Sequence, residues 1–123
     1  MVRSWRDKFV SAFAGLWLAI RTERSFAVHL PMAATVAVFA ALLSVSLIET
    51  CMLILCVSLV LTAEILNSAI ENLARETSRE QRPGIAAALD MSSAAVLVAS
   101  LGAAAIGAII FLPKLGRLLG WWA

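Results

Sequence analysis

From Met91 to Pro113 the chain carries no charged residue, and from Phe26 to Ile48 its only ionisable side chain is His29. A third apolar run starts at Cys51 and stays uncharged as far as Ala63. A helix needs about 20 apolar residues to cross the hydrocarbon core of a bilayer. No water is available there to satisfy a bare backbone, so spanning segments close their own hydrogen bonds. Runs of this length without alternation predict helices, and the chain reads as an all-α membrane protein. Hydrophobic residues make up 62% and charged residues 15% of 123, outside the range of a soluble domain. Residues 1–123 are enough for one domain. A net charge of +2 gives no reason to expect nucleic acid as a partner.

Residues 3–21 differ from the rest. Trp5, Phe9, Phe13, Leu16, Trp17 and Ile20 recur at helical spacing, with Arg3, Arg6, Asp7, Lys8 and Ser11 between them. That pattern predicts an amphipathic helix lying in the headgroup plane of the bilayer. A signal peptide would also begin with basic residues, but no small-residue cleavage site follows. After the polar link Arg21–Ser25, three spans are expected at 26–48, 51–70 and 85–112, the second extending into a charged cytoplasmic loop. Pro31 is placed near the start of the first span, where a helix tolerates proline. Pro83-Gly84 breaks the chain before the third. Cys51 and Cys56 lack the spacing of metal ligands or of a disulfide framework and read as packing residues. Ala95, Ala99, Ala103 and Gly107 form a stripe of small residues that lets helix backbones approach closely. Three thin helices do not bury a polar cluster alone, so an oligomer is expected.

Basic residues set the orientation. Arg3, Arg6, Lys8, Arg21 and Arg24 precede the first span, and Arg75, Arg79 and Arg82 lie in the second loop. Only Lys114 and Arg117 fall at the other end. The positive-inside rule therefore puts the N-terminus in the cytoplasm. Glu23, Glu71, Glu80 and Asp90 then come to one cytoplasmic interface.

The second span ends in Glu64-Ile-Leu-Asn-Ser-Ala-Ile-Glu71, two carboxylates and an amide in a place where lipid tolerates little polarity. At the helical repeat, Glu64, Asn67 and Glu71 fall within an arc of ~60°, with the two glutamates ~10.5 Å apart along the axis. Such groups either glue helices together or form a functional site. Carboxylates at a membrane boundary suit a hard divalent cation, and Mg²⁺ commonly takes one or two of them plus phosphate oxygens. Glu23 and Glu71 are the candidates. Arg79 and Arg82 are suited to phosphates. Glu64 is placed to accept a proton from a hydroxyl. No glycine-rich phosphate loop is present, which excludes an ordinary P-loop site. His29 alone reads as a capping or interfacial residue rather than a metal ligand.

The Glu64–Glu71 stretch, followed by Asp90-Met-Ser-Ser-Ala-Ala-Val96, resembles the signature of the small prokaryotic diacylglycerol kinase family, which includes the undecaprenol kinases. The likeness extends to the surface helix, Gly15-Leu16, Glu23-Arg-Ser-Phe26 and the spacing of the spans. It implies an ATP- and Mg²⁺-dependent lipid kinase of the bacterial inner membrane, working as a homotrimer with active sites shared between subunits. By match to the family motif, Glu64 is the catalytic base, Asn67 supports the reacting groups, and Glu23 and Glu71 hold the metal. The same match gives Glu80, Arg82 and Asp90 to the nucleotide and Ser93 to the lipid. The lipid is diacylglycerol, undecaprenol or another alcohol. His29-Leu30 is closer to the undecaprenol kinase branch. The chain departs from the pattern at Leu89, where the family commonly has lysine, and Arg82 stands where the family often has histidine. Either an arginine such as Arg82 substitutes, or turnover is weak, or the fold is retained without activity. A small oligomeric channel built on Glu64 is the other reading of the polar stripe.

Overall fold

The computed structural model describes residues 2–77 and 82–121; the expectations for Arg79, Glu80 and Trp122 lie outside the described residues. Four helices follow one another: α1 (Trp5–Thr22), α2 (Phe26–Leu42), α3 (Leu47–Thr77) and α4 (Pro83–Leu118).

Helix α1 starts because Ser4 caps it, its hydroxyl accepting from the Asp7 amide at 3.2 Å. Trp5, Phe9, Phe13 and Trp17 are all exposed, and the Lys8 ammonium sits 4.8 Å over the Trp5 ring. The helix ends where Glu23 turns extended, its amide still donating to Ala19 O at 3.0 Å. The chain then bends by 103° into α2. The two helices thus stand close to a right angle, a bend that is compatible with the surface placement expected for residues 3–21. Phe26, at 1% exposure, is the large side chain buried at this corner.

Helices α3 and α4 are each long and apolar enough to cross a membrane, and the bent α1–α2 pair supplies at most one further span. The expected span 26–48 is divided differently. Helix α2 has 17 residues and stops at Leu42. Ser44 takes a left-handed conformation (φ 52°), and α3 restarts five residues after α2 ends. The restart is built by a reciprocal cap. The Glu49 amide donates to Ser46 Oγ at 3.1 Å and the Ser46 amide to Glu49 Oε1 at 2.9 Å. Pro31 stands in the second turn of α2 rather than the first, inside the helix.

The other two helices outrun their apolar cores. Helix α3 runs past 70 to Thr77, toward the loop into which an extension was expected, and α4 runs 83–118 instead of 85–112, through Pro113. Hydropathy marks where lipid ends, not where a helix ends. Past Glu71, Asn72 to Thr77 remain good enough helix formers, and Arg75 donates back to Asn72 Oδ1 at 2.6 Å. Helix α4 stops at a positive-φ glycine, Gly120 (φ 72°). There the Trp121 amide donates to Gly116 O and the Gly120 amide to Arg117 O, closing the last carbonyls.

Antiparallel packing of α3 on α4 makes most of the core, with α2 laid on more sparingly. Leu53, Cys56, Glu64 and Ser68 are the buried residues of α3; Ser92, Ile110 and Gly116 are those of α4. The Glu49 carboxylate meets Lys114 at 3.1 Å, pinning one end of this pair. Both cysteines are free; Cys56 is buried, as a packing residue would be, whereas Cys51 is exposed. Of the small-residue stripe, Ala99, Ala103 and Gly107 are half-buried, and the last two face α2 and α3 across a groove. Ala95 is exposed. At Gly107 an added Cβ would meet nothing within 4 Å, so the stripe borders open space there rather than a close helix contact.

Phe26→Ala is expected to destabilise the fold by about 3 kcal/mol, the usual scale for emptying a buried phenylalanine site. In detergent micelles it should lower the melting temperature and speed tryptic cleavage after Arg21 and Arg24. Unchanged cleavage would show that Phe26 does not hold the corner.

Candidate active site

Glu64 lies on the buried face of α3 with 3% of its surface exposed. A carboxylate in such surroundings is costly unless a donor meets it. The donor comes from α2: His29 Nε2 is 2.8 Å from Glu64 Oε1. Both ring states that carry a proton on Nε2 can make this bond. The pair joins two helices whose other packing is sparse.

One turn further along α3 a second polar chain begins. Asn67 Nδ2 donates to Glu71 Oε1 at 3.1 Å, and Ser92 Oγ of α4 donates toward Asn67 Oδ1 at 2.8 Å. Leu89 O is also within reach of the Ser92 hydroxyl at 2.9 Å. Donation from Ser92 fixes the amide orientation of Asn67, and Asn67 in turn fixes one oxygen of Glu71. The other Glu71 oxygen has no hydrogen bond among the described residues. Ser68, on the same face as Glu64 and one turn on, is buried with no partner for its hydroxyl.

The Glu64, Asn67 and Glu71 stripe expected from the sequence is therefore a polar seam, met by α2 at one end and by α4 at the other. The remaining candidates are not joined to it. Glu23 is half-buried at the end of α1, and Leu89 is half-buried in α4. Arg82, Asp90 and Ser93 are exposed and make no hydrogen bond or ion pair to the seam. Glu80 lies outside the described residues. Among the described residues no three acidic, cysteine or histidine side chains cluster as a metal site. Two carboxylates completed by phosphate oxygens do not need such a cluster.

Ser68 and Ser92 were not singled out from the sequence, and His29, read there as a capping or interfacial residue, instead pairs with Glu64. The signal for His29 was a lone ionisable group in an apolar helix. The signal for Ser92 was its place in Asp90-Met-Ser-Ser93, where two adjacent serines point to different faces and only the first is buried.

Beyond the His29–Glu64 pair an apolar groove of about 220 Å³ runs between α2, α3 and α4 toward Phe111. His29, Met32 and Val36 line one side, Leu53 and Val60 the second, and Gly107 the third.

Carboxylates held between apolar helices, next to a groove of this kind, suit a membrane protein that handles a polar group on a lipid-like molecule. The profile described as prokaryotic diacylglycerol kinase matches residues 10–111. Over 107 residues the chain is 36% identical to a Bacillus subtilis protein named undecaprenol kinase, covering 87% of each. Over 112 residues it is 33% identical to a Synechocystis protein named diacylglycerol kinase, covering 90% of this chain and 64% of that one. The chain belongs to the prokaryotic diacylglycerol kinase family, and is thereby a lipid kinase with ATP as co-substrate.

Ser92→Ala is expected to destabilise the protein by about 1 kcal/mol, because it leaves Asn67 Oδ1 without its donor. Ser93→Ala, one residue on and exposed, should leave the melting temperature unchanged. Equal effects of the two in thermal unfolding would show that the Ser92–Asn67 bond is not made.

Proposed function

We propose that this chain moves the γ-phosphoryl group of ATP onto the hydroxyl of a long-chain lipid alcohol, diacylglycerol or undecaprenol. The observation that carries the reading is the buried Glu64, placed about 10.5 Å deeper along α3 than Glu71. A lipid hydroxyl reaches that depth from within the bilayer, whereas a nucleotide arrives from water. Glu64 takes the hydroxyl proton; the lipid oxygen forms a bond to the γ-phosphorus. The bond from that phosphorus to the bridging oxygen breaks, and ADP leaves with the electron pair. Such chemistry is mainly positioning and charge neutralisation.

Glu71, with one oxygen fixed by Asn67 and the other open, suits Mg²⁺, and Glu23 is the second ligand in this reading. The ion, when bound, neutralises phosphate charge. Glu80, Arg82 and Asp90 face the nucleotide in the same scheme, and Ser93 the lipid. Leu89 brings no charge to the phosphates, so the flanking arginines take that part. The N-terminus is cytoplasmic in the bacterial inner membrane, which puts eight of the ten basic residues inside. The whole chain acts as one kinase domain, with α1 as its interfacial helix. A homotrimer is part of the same reading; the large apolar side chains that α3 and α4 leave exposed, among them Leu66, Leu97, Val98 and Ile109, are available to lipid or to further copies of the chain.

The test is transfer of label from γ-labelled ATP in mixed micelles, with diacylglycerol and undecaprenol side by side. Glu64→Gln should lower turnover by ~10² or more, the scale of losing a general base, with little change in the KM for ATP. Glu71→Gln should instead raise the Mg²⁺ concentration needed. A Glu64→Gln enzyme with full turnover would refute the base assignment.

A further inference from the structure

We propose that His29 is a positioning residue for phosphoryl transfer: by donating from Nε2 to Glu64 Oε1 it aims the other carboxylate oxygen at the lipid hydroxyl. This rests on the reading of Glu64 as the base.

Three observations converge. The His29–Glu64 bond, at 2.8 Å, is the only polar contact of the Glu64 side chain among the described residues. A carboxylate buried to this degree and held at one oxygen has a single oxygen left for a proton. Second, the two partners differ in access: the His29 side chain is 20% exposed and that of Glu64 4%. The imidazole stands at the edge and the carboxylate behind it. Third, His29 itself lines the apolar groove between α2, α3 and α4, so a lipid in that groove would bring its hydroxyl to the pair. Glue between helices needs the bond but not the groove.

The proton balance leaves His29 unchanged. Its Nε2 proton stays on the ring while the hydroxyl proton passes to Glu64 Oε2, the lipid oxygen bonds to phosphorus, and ADP departs. The imidazole restricts the carboxylate to one orientation and stabilises its charge before the hydroxyl arrives. Groups that orient a reacting residue in this way commonly change rate rather than binding.

A kinetic double-mutant cycle on the full chain in mixed micelles tests this. His29→Leu should lower kcat by about ten- to a hundredfold, as expected for a lost hydrogen bond to a charged group at the reacting centre. The KM for ATP should stay near its original value. In a Glu64→Gln background the same change should lower kcat by less than about twofold, since a residue that acts through Glu64 has nothing left to position. His29→Gln, whose amide N–H can replace Nε2–H, should restore most of the turnover. It also serves as the test if His29→Leu does not fold. A His29→Leu enzyme with undiminished kcat would overturn the proposal. So would an equal loss in both backgrounds, or a folded His29→Gln enzyme as slow as His29→Leu. Full activity of Glu64→Gln by itself would instead overturn the base assignment, and the two failures are thereby told apart.

Discussion

Burying a carboxylate among apolar helices is tolerable only when a donor is built in beside it. Glu64 is that carboxylate, and His29 is the donor. Leaving one partner of a buried pair alone is far costlier than the pair itself is worth. The register of α2 against α3 is therefore tied to one bond, since α2 packs only sparingly on its neighbour. The tight connection at Leu43–Ser46 and the 103° bend before Phe26 fix the two ends of α2. Between them, His29 is held where it meets Glu64.

The seam has two halves with different partners. Near α2, Glu64 is buried and paired with one ring nitrogen. Near α4, Asn67 and Ser92 hold Glu71, which is half-buried and keeps an open oxygen. The first half borders an apolar groove; the second lies nearer the charged end of α3, where Asn72 and Arg75 are exposed. In the proposed mechanism this difference in depth sorts the substrates, with the lipid hydroxyl on one side and the phosphates on the other. A single helix face thus serves two solvents.

Much of this was legible in the sequence, for physical reasons. Long uncharged runs leave helices as the only solution in lipid, and so the all-helical fold with its membrane-spanning helices could be expected. Glu64, Asn67 and Glu71 stood out because polarity is expensive where they sit. The helix ends were less legible. Ser46 and Glu49 cap α3 reciprocally, and this local chemistry starts α3 at Leu47, a few residues before the second span expected from 51. At the other end, α3 simply continues into water past Glu71, where no lipid boundary shows in the backbone. The partners of the seam were hidden for a different reason. Which residue of α2 meets Glu64, and which of two serines meets Asn67, is decided by helix rotation and packing. The same rotation turned Ala103 and Gly107 of the small-residue stripe toward the groove.

The pairing of Glu64 is most directly tested at its other end, because the chain contains a single histidine. Nitrogen-15 NMR of the histidine-labelled protein in micelles or bilayers reports His29 without any assignment problem. A buried bond from Nε2 to Glu64 predicts a ring proton that exchanges slowly with water and a nitrogen resonance that moves when Glu64 is changed to Gln. A rapidly exchanging imidazole whose spectrum is the same in both proteins would contradict the pairing, and with it the arrangement on which the proposed chemistry depends.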